Sequence, residues 1–190
     1  MNVVIQESCA SQITRTLLND FPQPNEQNVV LFHGTDHQRA ADIFDRGIYL
    51  SAGREKRDFS SGKDFYLTND FDEAFNWARS TTSKPAILVF QVNREHLSNA
   101  RKLNLNNDEE RWRKMVSIIR SDEETAQTRK SLMKSYDLIE GPMATVQLSE
   151  SGELVLERKA SSHQICLISD RFAEEFEQTL QSLLFLDVYA

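Results

Sequence analysis

"VVLFHGT", Val29 to Thr35, is the stretch on which the reading of this chain turns. Four apolar residues run together and then give way to a histidine, a glycine and a hydroxyl. An unbroken apolar run of that kind suits a strand buried on both faces. The break at His33-Gly34-Thr35 has two readings. In one, the strand has ended at Phe32 and a turn begins. In the other, the strand carries His33 to the mouth of a pocket, and Gly34 lets a ligand approach the backbone.

Downstream, "DHQRAADIFDRG" predicts a helix, with Ala40, Ile43 and Phe44 at i, i+3, i+4 and Gly47 where a C-terminal glycine belongs. "FYLT" (Phe65–Thr68) reads as a short strand. "NDFDEAFNWARS" reads as a helix with Asp70 and Glu73 at capping-box spacing and Phe71, Ala74, Phe75 and Ala78 on one face. "KPAILVFQV" gives a strand from Ala86 to Val92, and its continuous apolar run predicts a central place in a sheet. Asn106–Ser135 is charged and helical in pattern. "YDLIEGP" is a strand closed by a Gly-Pro turn, "ATVQLSESGELVLER" a hairpin around Ser151-Gly152, and "HQICLIS" a further strand. Ser169 or Asp170 caps a last helix with Phe172, Phe176, Leu180 and Leu183 on one stripe.

Upstream, residues 1–28 hold a short helix around Ile13–Leu18 and the proline-punctuated connector "DFPQPNEQN". The division expected is an N-terminal extension, 1–28, and a single domain, 29–190. The order of elements is an α+β pattern without the regular alternation of a doubly wound sheet.

The net charge of -7 argues against a non-specific binder of nucleic acid or anionic membrane. The dense basic stretches are "GREKRD" (Gly53–Asp58) and "RWRK" (Arg111–Lys114). No apolar run approaches the roughly 18 residues of a membrane span, and the N-terminus lacks the pattern of a Sec signal peptide. Cys9 and Cys166 stand far apart with no CxxC spacing, which suits a reducing compartment and not a zinc site. The expected location is the cytoplasm, or export by a route that uses no Sec signal.

There is no GxGxxG after the first strand and no GxxxxGK[ST]. His33 and His37 are spaced as HxxxH, but Gly34-Thr35 interrupts the helical face that a metal pair needs, and no Glu lies between them. His96 reads as solvated. His163 is either structural or at a pocket rim. Cys166 sits in an apolar run as a small hydrophobe, and no GxSxG elbow exists. The acidic runs Asp108–Glu110 and Asp122–Glu124 read as solvated helix faces.

What remains is a set of polar residues at strand boundaries: His33-Gly34-Thr35, Tyr66 in "DFYLT", and His163-Gln164 before "ICLIS". In this order they resemble the histidine-tyrosine branch of the ADP-ribosyltransferase superfamily. Within it, the chain resembles a mainly bacterial subgroup with a "YHGT … GI … DFG-x-GFYLT … A-x-x-WA" pattern. The matching text is "LFHGT" (Leu31–Thr35), "IFDRGIYLSAG" (Ile43–Gly53), "RDFSSGKDFYLTND" (Arg57–Asp70), "EAFNWA" (Glu73–Ala78) and "PAILVFQV" (Pro85–Val92). "YDLIEGPMA" (Tyr136–Ala144) and "HQICLIS" (His163–Ser169) continue it.

The resemblance implies a split mixed β-sheet of ADP-ribosyltransferase type with flanking helices. It implies NAD as substrate, and the strand-to-turn context of HxxxH with no Cys partner nearby adds the expectation of no metal. His33 is implied to bond a ribose hydroxyl, Gly34 to leave room for the dinucleotide, and Thr35 to add a hydroxyl on the adenosine side. Tyr66 is implied to lay its ring on the nicotinamide, with the face and not the hydroxyl carrying the contact. Gln164 falls at the third catalytic position, often Glu in active members. A glutamine can orient a ribose hydroxyl but cannot act as a base at neutral pH. Glu140 is the alternative carboxylate. The loop Asp58–Phe65 is two residues longer than the common pattern, and Asp64 replaces a glycine.

The activity so implied is NAD-dependent mono-ADP-ribosyl transfer, a glycosyltransferase reaction, to a protein or nucleic-acid acceptor. A toxin or effector role would add an antitoxin or immunity partner and needs no membrane. The alternative is a catalytically inactive module of the same fold that binds NAD or an ADP-ribosylated ligand.

Overall fold

The structure is a computed structural model that describes residues 2–7, 21–52, 58–60, 62–120, 131, 134–148, 152, 154–159 and 161–187. The helix expected at Ile13–Leu18, Cys9, basic residues 53–57, Asp122–Glu124 and Ser151 lie outside them. In chain order the elements are β1 (Asn2–Glu7), β2 (Asn28–Asp36), α1 (His37–Arg46), β3 (Phe65–Thr68) and α2 (Phe71–Thr81). There follow β4 (Pro85–Asn93), α3 (Arg94–Asn99), β5 (Lys102–Asn104), α4 (Glu109–Arg120) and β6 (Leu138–Gly141). The chain closes with β7 (Ala144–Leu148), β8 (Leu154–Arg158), β9 (Gln164–Leu167), α5 (Asp170–Glu177) and β10 (Leu180–Asp187). This is an α+β protein with mixed sheet and flanking helices. The chain divides into two units, one from Met1–Ile48, Leu67–Asn99 and Glu174–Ala190, the other from Tyr49–Tyr66 and Ala100–Ala173.

In the first unit, β4 has apolar residues on both faces, and Ala86 to Phe90 are wholly buried. Such a strand is stable only with neighbours on either side. It has them: β2 runs antiparallel on one edge, with His33 opposite Leu88, and β10 antiparallel on the other, with Leu183 opposite Leu88. β1 adds to β10 in parallel, which makes the sheet mixed. Asp70 caps α2 by accepting from the Glu73 amide at 3.1 Å, and its own amide bonds the Thr68 hydroxyl. The cap sets the phase that buries Phe71, Ala74, Phe75 and Ala78 against Val30, Phe32, Ile87 and Val89. Phe32 and Phe71 meet edge to face at 5.6 Å, and each buried phenyl is worth roughly 1.5–3 kcal/mol.

Three features differ from the expectation. β2 does not stop at Phe32; it runs through His33-Gly34-Thr35 to Asp36, because β4 is long enough to pair with every one of them. The last helix ends at Glu177, so Phe172 and Phe176 are helical while Leu180 and Leu183 belong to β10. The Thr179 amide and hydroxyl both bond the Phe176 carbonyl and close the helix. The following "LLFL" is apolar on every residue, which fills both faces of a sheet and not one stripe of a helix. Finally, residues ahead of Val29 join the packing: β1 lies along β10, and Phe21 enters the core under α2.

In the second unit, β6 lies between β9, antiparallel, and β5, parallel. Ile139 and Cys166 are paired and point to the same face, where Trp112 and Val116 of α4, Phe59, Leu103 and Leu105 cover them. Trp112 is wholly buried, and its indole N–H donates to the Pro142 carbonyl at 2.9 Å, so the ring costs no orphaned donor. The entry to β6 is held by Asp137, whose buried carboxylate accepts the Arg101 side chain at 2.7 and 3.1 Å. That bond, ahead of the backbone amide and Arg171, holds Asp137 below the usual carboxylate range against the opposing effect of burial. The β7–β8 hairpin packs Ala144 and Leu156 on the core and leaves Leu148 and Leu154 exposed. Among the described residues, no helix is long and apolar enough to cross a membrane.

Candidate functional site

Alternation along β2 sorts the first motif into two faces. Phe32 packs under α2, and Gly34 points the same way: a β-carbon there would lie 2.1 Å from the Ala74 carbonyl oxygen. The helix backbone, not a ligand, accounts for the glycine. His33 and Thr35 point to the opposite face, where Thr35 is buried and His33 partly so. His37 begins α1, with Nε2 3.3 Å from the Leu186 carbonyl and its ring edge-on to Phe185 at 5.1 Å. Among the described residues, no group of three or more His, Cys, Asp or Glu is gathered to hold a metal.

Tyr66 lies in the second unit, partly buried against the Phe59–Trp112 core. Its hydroxyl oxygen accepts two consecutive backbone amides, Phe59 at 2.8 Å and Ser60 at 3.1 Å. Its ring stacks on Phe59 at 6.5 Å. The hydroxyl expected to be idle is therefore the anchor of the preceding loop. Burial pushes the phenol well above its ordinary value, and the negative potential of Cys166, Asp64 and Asp58 adds to this, while the Phe59 amide opposes it. Burial likewise pushes the Cys166 thiol up, with Asp64 adding and a hydrogen bond to Tyr66 opposing. Tyrosinate and thiolate are both excluded at neutral pH, so neither group is a ready nucleophile.

Gln164 is 5% exposed and starts β9 opposite Gly141. Its Nε2 donates to Asp58 Oδ2 at 2.8 Å and, more weakly, to the Pro142 carbonyl at 3.5 Å. Asp58 is itself saturated. Arg120 reaches Oδ1 through Nη2 at 2.6 Å and Nε at 3.1 Å, and the Ala144 amide reaches Oδ2 at 2.8 Å. Phe59, the next residue, is 1% exposed, so the segment that carries Asp58 is part of the core.

Glu140 lies on the other face of β6 from Ile139. Its Oε1 accepts from Asn104 Nδ2, and Lys102 Nζ is 3.9 Å away. His163 shares that face by alternation with Ile165, the partner of Glu140. Burial holds the His163 ring below its ordinary value and Lys102 adds to this, with Glu140 opposing.

The structure thus brings Tyr66 and Gln164 onto one short segment, Asp58–Ser60. It puts Glu140 and His163 on the reverse of the same sheet, and His33, Gly34 and Thr35 on β2 of the other unit. Asp58 and Arg120 went unsingled in the sequence. The partners of Asp58 are 62, 86 and 106 residues away, and no local pattern marks an aspartate for such a role.

No curated protein matches the chain. The chain belongs to the family described as "Protein of unknown function (DUF3990)", whose pattern matches residues 29–181.

Proposed function

We propose that the protein binds NAD and transfers one ADP-ribose to a macromolecular acceptor, protein or nucleic acid, on a split-sheet ADP-ribosyltransferase fold. The observation that carries the reading is the motif order His33-Gly34-Thr35, Tyr66, Gln164, with Tyr66 held by two amides and a stacked phenyl. A ring fixed before a ligand arrives loses little entropy on binding, which is what a stacking platform for nicotinamide needs. In this reading His33 bonds a ribose hydroxyl, Thr35 on the same face of β2 adds a hydroxyl, and Gln164 orders the nicotinamide ribose.

The bond that breaks joins C1′ of that ribose to the nicotinamide nitrogen, which leaves neutral with the electron pair. The acceptor's lone pair forms the new bond at C1′, and its proton passes to solvent. Positive charge develops on the sugar between the two events, as in glycoside hydrolysis. A toxin or effector with an antitoxin or immunity partner is the setting this chemistry would suit.

A second reading, an inactive module that binds NAD or an ADP-ribosylated ligand, draws on one observation. No carboxylate stands at position 164, and the amide there is bonded to Asp58. Nicotinamide release from NAD, with and without lysate proteins and nucleic acids as acceptors, separates the two readings. Calorimetry with NAD tests the first reading, which does not survive the absence of binding, and calorimetry with NAD and with an ADP-ribosylated peptide together tests the second. Glu140→Gln, assayed beside Gln164→Ala, shows which position the cleavage depends on.

A further inference from the structure

The Gln164 amide has a fixed sense. A carboxylate paired with a guanidinium accepts hydrogen bonds and donates none, so the corner of the amide 2.8 Å from Asp58 Oδ2 is the donor Nε2. The Pro142 carbonyl, also an acceptor, imposes the same choice. Nε2 and Oε1 are the two corners of one planar group. Holding the donor on Asp58 therefore turns the acceptor Oε1 away from the carboxylate. Asp58 cannot swing to follow, because Arg120 grips Oδ1 with two donors and the Ala144 amide shares Oδ2.

We propose that Asp58 is a positioning residue that makes Gln164 present an acceptor, not a donor, to the substrate. This rests on the NAD reading above. An acceptor facing a ribose hydroxyl takes its hydrogen bond and pushes electron density toward the sugar as positive charge builds at C1′, an interaction that strengthens in the transition state. A donor in the same place would withdraw that density. The aspartate thus lets a neutral glutamine supply the oxygen that a glutamate would, with its charge kept on the far side of the amide and balanced by Arg120.

The experiment is Asp58→Asn, which keeps the shape and turns one oxygen into a donor. With the remaining oxygen of the substituted side chain kept on Arg120, its new NH2 faces Gln164, whose amide must flip and turn Nε2 away from it. The Ala144 amide loses its acceptor as well, a cost in stability that the exchanged pair below shares. Nicotinamide release should fall about tenfold or more in kcat, while KM for NAD moves less than about threefold. The exchanged pair, Asp58→Asn with Gln164→Glu, restores donor to acceptor and again turns an oxygen outward, so kcat should return.

A residue that only props the fold would make kcat track thermal stability across these variants and leave no kcat-to-KM split. Independently of NAD, the Gln164 side-chain amide protons of the wild-type protein should exchange slowly with water by NMR. Exchange as fast as that of an exposed glutamine overturns the proposal, even if Asp58→Asn fails to fold. Release by wild type that Asp58→Asn leaves unchanged overturns it too. Absence of any release from wild type overturns the transferase reading first, and this role with it.

Discussion

Gly34 and Ala74 are packed so closely that strand and helix backbones touch: a β-carbon on the first would lie 2.1 Å from the carbonyl oxygen of the second. The obstacle is backbone, which cannot rotate aside as a side chain can. Gly34→Ala should therefore cost about 3 kcal/mol, the upper end for overpacking, seen as a lower midpoint in urea unfolding. A stable Gly34→Ala protein that has lost only NAD affinity would return the glycine to the ligand.

Tyr66→Phe removes the oxygen on which the Phe59 and Ser60 amides rest. Each buried N–H left without an acceptor costs about 1–3 kcal/mol, so the substitution should destabilise by at least about 2 kcal/mol. The loss should exceed what the ring's burial alone would suggest. Thermal unfolding of Tyr66→Phe measures it, and a change below about 0.5 kcal/mol would show that the amides find other partners.

His33→Ala should weaken NAD binding by about 1–3 kcal/mol, the loss expected when a polar partner goes unpaired. If His33 and Tyr66 serve one dinucleotide, the affinity changes of His33→Ala and Tyr66→Ala should fail to add. Calorimetry on the two single variants and the double decides it. Strict additivity would separate the two residues functionally.

Stability should step down twice as pH falls. His163 has a folded value below its ordinary 6.5, so the unfolded chain takes up a proton that the folded protein refuses. Stability is then full above that value and declines as pH drops from it toward the folded value. Asp137 is depressed from 3.8, so its contribution holds above that value and is lost as pH falls through the folded one. Urea unfolding against pH should lose its upper step in His163→Gln and its lower step in Asp137→Asn.

A chelator should leave NAD cleavage unchanged. His37 is turned to Leu186 and Phe185 at the start of a helix, which is no geometry for sharing a cation with a residue of the strand before it. Activity lost to a chelator and restored by zinc would overturn this.

The sequence was most legible where one residue's neighbours in the chain set its fate. Asp70 caps α2, Gly47 takes a positive φ of 87° at the end of α1, and the apolar run of β4 lies between two strands, all as the pattern indicates. It misled where a partner far along the chain decided. His33-Gly34-Thr35 looks like a turn until β4 is there to pair it, and Leu180 continues a helical stripe until β4 offers it an edge. Gln164 was singled out for a ligand, and its nearest partner is an aspartate 106 residues away. A buried polar network of this kind has no period, so neither hydrophobic spacing nor a motif reveals it.

The Tyr66 phenol, held protonated by burial against the opposing pull of the Phe59 amide, is set apart optically from an exposed tyrosine. In an alkaline ultraviolet titration it should stay dark beyond the ordinary tyrosine range, until its loop opens. Its absorbance step would then mark the release of Asp58–Ser60 and not the acidity of a phenol. The protein would carry an intrinsic reporter of that segment's opening, readable without a label and without knowledge of the ligand.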